Sequence, residues 1–117
     1  MSLIREEDKL LKLSKEATEV WGIEAQLRML QEECGECVAA VNRYFRARDN
    51  ASEQLVSEIA DVLIMAIQGL RIFGPAVEAE VHKKLCRLDE RLEKRRQQLK
   101  NISDDRFFDV DGINDGG

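Results

Sequence analysis

At 117 residues the chain has room for one domain, and its net charge of −5 lacks the basic face that a general binder of nucleic-acid polymers needs. A single Pro, few aromatics, 35% charged and 44% hydrophobic residues suit a helical protein, and no apolar stretch reaches the length of a membrane span. The acidic balance still allows a small phosphorylated substrate, because a metal ion can supply the missing positive charge.

The N-terminus, Met1 to Lys9, is charged and has no apolar signal-peptide core. Three cysteines form no disulfide framework, so the reducing cytoplasm is the expected compartment. The apolar content is large for so small a core, which predicts apolar surface shared between subunits.

In chain order, Leu10, Leu13, Ala17 and Val20 recur at helical spacing and predict a first helix from about Ile4 to Trp21, stopped at Gly22. A second helix is expected from about Glu24 to Phe45, with Leu27, Leu30, Cys34, Cys37 or Val38, Val41 and Phe45 as its apolar stripe. Arg46 to Ser52 reads as a polar connector. Within it, Asn50 and Glu53 have capping-box spacing and announce a third helix. That helix carries Leu55, Ile59, Val62, Leu63, Ala66 and Leu70, and its run from Val62 to Ile67 is apolar on every side. Such a helix is central or covered by a partner subunit. Gly74-Pro75 ends it and opens a fourth, amphipathic through Val77, Val81, Leu85, Leu88, Leu92 and Leu99 to about Lys100. The acidic, Gly-rich stretch from Ser103 to Gly117 reads as a mobile tail. No segment reads as a strand, and the expected fold class is all-α, a four-helix bundle.

Glu33 and Glu36 stand three apart beside the apolar stripe of the second helix, and Glu58 and Asp61 repeat that spacing on the third. From Glu36 to Phe45 the second helix travels roughly 14 Å, and from Ser52 to Glu58 the third returns roughly 9 Å, at about 1.5 Å per residue. The connector covers the difference, so antiparallel packing brings four carboxylates into one volume. Unscreened, they repel; oxygen donors of this kind suit Mg²⁺ or Mn²⁺. The competing reading is a solvated face, since Glu is a good helix former.

Glu32-Glu33-Cys34-Gly35-Glu36, answered by Glu58-Ile59-Ala60-Asp61, resembles the EExxE…ExxD signature of the MazG-like nucleoside triphosphate pyrophosphohydrolases, an all-α family whose relatives include dimeric dUTPases and phosphoribosyl-ATP pyrophosphatases. The resemblance covers about Trp21 to Gly74. It implies Mg²⁺-dependent hydrolysis of an NTP or dNTP to the monophosphate and pyrophosphate, a nucleotide-pool house-cleaning role, and a homodimer or homotetramer. By motif position Glu33, Glu36, Glu58 and Asp61 resemble metal ligands. Glu32 resembles the first Glu of the signature, placed to orient water or bind a further metal. Lys84 and Arg87 on the fourth helix resemble the family's phosphate contacts, and Trp21, just before the motif, resembles a base-stacking residue. On this reading residues 1–102 form the catalytic domain and 103–117 an acidic tail.

Other chemistries are less well supplied. Cys34, Cys37, His82 and Cys86 are enough in number for a zinc site, but both Cys34 and Cys37 fall on the apolar stripe. The chain has one histidine and no Glu-x-x-His pair, which disfavours a di-iron bundle. The non-enzymatic alternative is a helical interaction module that uses the third and fourth helices for assembly.

Overall fold

The computed structural model describes residues 5–47 and 51–113, with side chains as far as Ser103. Four helices follow one another: α1 (Glu7–Trp21), α2 (Ile23–Ala47), α3 (Ala51–Phe73) and α4 (Pro75–Ile113). Among the described residues there is no strand, so the fold class is all-α as the periodicity predicts, and no helix is long and apolar enough to cross a membrane. The chain divides into two compact units, residues 1–78 and 79–117.

The breaks between helices sit where backbone chemistry puts them. Gly22 adopts φ +91°, a conformation that side chains disfavour, and its N–H donates to the Thr18 carbonyl at 2.9 Å. Gly74, at φ +59°, closes α3 by donating its N–H to the Leu70 carbonyl at 2.7 Å. Pro75 then begins α4, where its missing N–H costs nothing. Asn50, expected to cap α3, lies outside the described residues, as does Ile4 at the expected start of α1.

Within the first unit α3 is central. It packs most extensively on α2, then on α1, while α1 and α2 touch least. The α2–α3 pair is antiparallel: Arg43 near the end of α2 donates from Nε to Gln54 Oε1 near the start of α3, at 3.0 Å. Small side chains are among the most deeply buried. Ser14 and Ala40 are fully buried, Ala51 nearly so, and Met65 is the large apolar residue of the core. Gln26 and Gln68 are buried with them.

Several positions differ from what the apolar stripes predict. Cys34 is exposed and Cys37 half-buried, so only the second lies on the packed side of α2. Leu13, Val20, Val38, Phe45, Ile59 and Leu63, expected to face the core, are likewise exposed. Outer helices around one central helix cover a narrow arc of one another, and the wider apolar stripes extend beyond it. The fourth helix, expected to end at about Lys100, runs to Ile113. From Asn101 to Asp111 there is neither Pro nor Gly to stop it.

Candidate functional site

α2 and α3 bring three carboxylates together. Glu33, Glu36 and Glu58 each offer an oxygen, and these oxygens lie within 4.8 Å of one another. The i,i+3 spacing turns Glu33 and Glu36 to one face of α2, and the antiparallel course of α3 delivers Glu58 opposite. Glu33 and Glu58 are half-buried and Glu36 is exposed. Oε2 of Glu33 and Oε2 of Glu58 are buried and have no hydrogen-bond partner. Buried polar atoms are rarely left so, and a place for an ion is one of the ordinary reasons.

The electrostatics agree with the geometry. Glu33 is raised above the usual carboxylate value of 4.5, first by loss of water around it, then by the charges of Glu36, Asp61 and Glu58, and last by a hydrogen bond with Glu36. Glu58 is raised by the same loss of water, by the charges of Glu36 and Asp61 and by a hydrogen bond with Glu36; Arg43 opposes the rise. Asp61 is half-buried and near enough for its charge to act on both, although it stands beside the close trio rather than in it. Crowded like charges of this kind favour protons or a cation. The donors are all carboxylate oxygens, two of the carboxylates each having a buried and unpartnered oxygen, which fits a hard divalent ion such as Mg²⁺ or Mn²⁺.

Glu32 is exposed and outside the trio. Lys84 and Arg87 are exposed on α4, in the second unit. Trp21, also exposed, lines two apolar cavities in the first unit. One, of about 490 Å³, is bounded by Trp21, Ala25, Gln26, Met29, Met65 and Gln68. The other, of about 450 Å³, shares Trp21 and Gln68 and continues along α1 past Ser14 and Ala17. Gln68 Oε1 is buried there without a hydrogen-bond partner.

Two residues escaped the sequence reading. Arg43 stands seven residues after Glu36 and therefore on the same face of α2, a signal available in the spacing. It ties α2 to α3 through Gln54 and is the positive charge that moderates Glu58. Gln68 stands seven residues after Asp61 inside an apolar run, where a lone amide is conspicuous.

The family model of the MazG nucleotide pyrophosphohydrolase domain matches residues 22–98. No curated protein and no solved structure matches the chain. The matched span contains Glu33, Glu36, Glu58 and Asp61, all of α2 and α3, and α4 as far as Gln98. With most of its length inside that span, the chain belongs to the MazG nucleotide pyrophosphohydrolase family.

Proposed function

We propose that the protein hydrolyses nucleoside and deoxynucleoside triphosphates between the α- and β-phosphates, with Mg²⁺ as cofactor and Mn²⁺ as a substitute. The observation that carries this reading is the trio Glu33, Glu36 and Glu58, with two buried, unpartnered oxygens, in a chain of this family. Glu33, Glu36, Glu58 and Asp61 are the residues that would hold the divalent ion. When bound, the ion polarises phosphoryl oxygens and offsets the negative charge of the triphosphate and the leaving pyrophosphate.

The remaining work falls to the side chains. Glu32, exposed and outside the trio, accepts on a carboxylate oxygen the proton of the attacking water. The water oxygen bonds to the α-phosphorus as the bond to the bridging oxygen breaks, and pyrophosphate departs. Lys84 and Arg87 supply positive charge to the phosphates. Trp21 stacks the base over the cavity that Gln68 borders. The active form is a homodimer or homotetramer, and the role is cytoplasmic removal of non-standard or excess nucleotides.

A panel of NTPs and dNTPs incubated with and without Mg²⁺, with products identified by phosphorus NMR, tests the reading. The expected products are the monophosphate and pyrophosphate, only with the metal. A diphosphate and inorganic phosphate would overturn the cleavage position, and no product from any nucleotide would overturn the enzyme.

A further inference from the structure

Two polar side chains of the first unit are buried without a partner and belong to no part of the carboxylate trio. Ser14 is 1% exposed and Gln68 7%, and neither Ser14 Oγ nor Gln68 Oε1 has a hydrogen-bond partner. Both line the cavity of about 450 Å³ between α1 and α3. Gln68 also borders the cavity of about 490 Å³ beside Trp21, Met29 and Met65. A buried acceptor in mostly apolar walls costs stability until a donor reaches it.

The place of these cavities relative to the carboxylates follows from helical spacing. Met29 stands one turn before Glu33 on α2, and Met65 one turn after Asp61 on α3. Because the two helices are antiparallel, both residues lie on the same side of the carboxylates along the α2–α3 groove. Gln68 is seven residues beyond Asp61, roughly 10 Å along α3 at about 1.5 Å per residue. A sugar and one base can bridge that span.

We infer that Gln68 selects the base: its Oε1 accepts from the exocyclic amino group of cytosine or adenine and rejects uracil, thymine, guanine and hypoxanthine, which carry a carbonyl in that place. The inference rests on the proposed stacking of the base on Trp21, and not on hydrolysis. With the phosphates at the carboxylates, the base edge remote from the sugar reaches furthest along the groove. That edge holds position 4 of a pyrimidine or position 6 of a purine. An amino group there gives Oε1 the donor it lacks. A carbonyl there sets a second acceptor against it and leaves both unpaired, out of water. A site built around a buried hydrogen bond rejects the analogue that cannot make it far more strongly than an apolar pocket rejects a missing methylene. Ser14 adds no such preference, because a hydroxyl donates to the bare ring nitrogen of cytosine or adenine and accepts from the ring N–H of uracil or hypoxanthine.

The test is titration of the full-length chain with nucleoside 5′-monophosphates in matched pairs, dCMP against dUMP and dAMP against dIMP. Binding is read from quenching of Trp21, the one tryptophan of the chain. Each pair differs only in the amino or carbonyl group and the ring proton that goes with it. The amino member of each pair should bind at least about tenfold more tightly. Gln68→Met, similar in length but without a strong acceptor, should bring each pair level by weakening the amino member. Gln68→Glu, which keeps acceptor oxygens in place, should retain the amino preference even if Gln68→Met fails to fold by circular dichroism. Equal affinities within the parent's pairs, tighter binding of the carbonyl members, or ratios unchanged in a folded Gln68→Met would overturn the selection. Quenching by none of the four would overturn it together with the stacking on Trp21. Selective quenching in a protein that releases no pyrophosphate would support the selection while the hydrolytic reading fails, and pyrophosphate release without selective quenching would do the reverse.

Discussion

Glu33 on α2 and Glu93 on α4 are the same side chain in opposite company. Glu93 is exposed, accepts hydrogen bonds from Gln97 at 3.1 Å and from Arg96 at 2.9 Å, and titrates below its ordinary value because of those partners. Glu33 is half-buried, surrounded by Glu36, Asp61 and Glu58, and titrates above it. One oxygen of Glu33 is buried with nothing to bind. Glu93 is therefore satisfied by its own helix, as on any solvated face. The carboxylates on α2 and α3 are held together against their repulsion, an arrangement that favours a proton or a cation. Net charge is silent on this distinction; the sign of the pKa shift and the hydrogen-bond partners draw it.

Neutralising the two kinds of glutamate in turn should give the widest separation. Glu36→Gln and Asp61→Asn should each lower pyrophosphate release by more than the roughly 10–100-fold typical of losing an outer-shell metal partner. Helicity by circular dichroism should stay as it is. Glu93→Gln should leave the rate within about twofold, the ordinary scatter for a solvated surface pair. If Glu93→Gln cost as much as Glu36→Gln, the contrast would disappear.

A smaller effect is expected in metal-linked stability. Mg²⁺ at neutral pH should raise the melting temperature of the parent protein, since a ligand that binds only the folded state stabilises it. Scanning calorimetry should show that rise reduced in Glu58→Gln. An equal rise in both would remove Glu58 from the binding set.

The smallest effect lies in pH dependence, where the two glutamates should have opposite signs. Glu33 holds its proton more tightly folded than unfolded, so its protonation favours the fold. That contribution is fully present below the unfolded value near 4.5 and is lost as pH rises through the raised folded value. Without metal, Glu33→Gln should therefore melt higher than the parent at about pH 7, with the gap closing on acidification. Glu93 behaves conversely. Its stabilisation is present above the unfolded value and lost as pH falls through the lowered folded value. Glu93→Gln should melt slightly lower than the parent at about pH 7 and equal to it in acid. Thermal melts from about pH 2 to 8, a range that brackets the ordinary carboxylate values, check both.

Much of the fold and the site is legible in the chain. Gly22 and Gly74-Pro75 announce helix ends because the preferences of Gly and Pro are local and need no partner. The convergence of Glu33, Glu36 and Glu58 is legible because helical spacing fixes faces and a short connector forces antiparallel packing. Cys34 is a different case: a stripe read at 100° per residue is wider than the arc that a neighbouring helix covers, and this thiol falls outside the arc. The spacing puts Arg43 on the face of Glu36 and shows a lone amide at Gln68, but that Arg43 meets Gln54 and that Gln68 is buried depend on the register of α3 against its neighbours, which no single helix encodes. The far end of α4 hides behind a polar, acidic composition that suggests coil, although no residue between Asn101 and Asp111 interrupts the helix.

If Glu33, Glu36 and Glu58 form a divalent-cation site, Mn²⁺ titrated into the metal-free protein and followed by electron paramagnetic resonance should reveal it without any substrate. The expected result is saturable Mn²⁺ binding that Mg²⁺ displaces and that Glu36→Gln and Glu58→Gln each weaken, while Glu93→Gln binds as the parent does. Mn²⁺ binding unchanged in Glu36→Gln and Glu58→Gln would contradict the site.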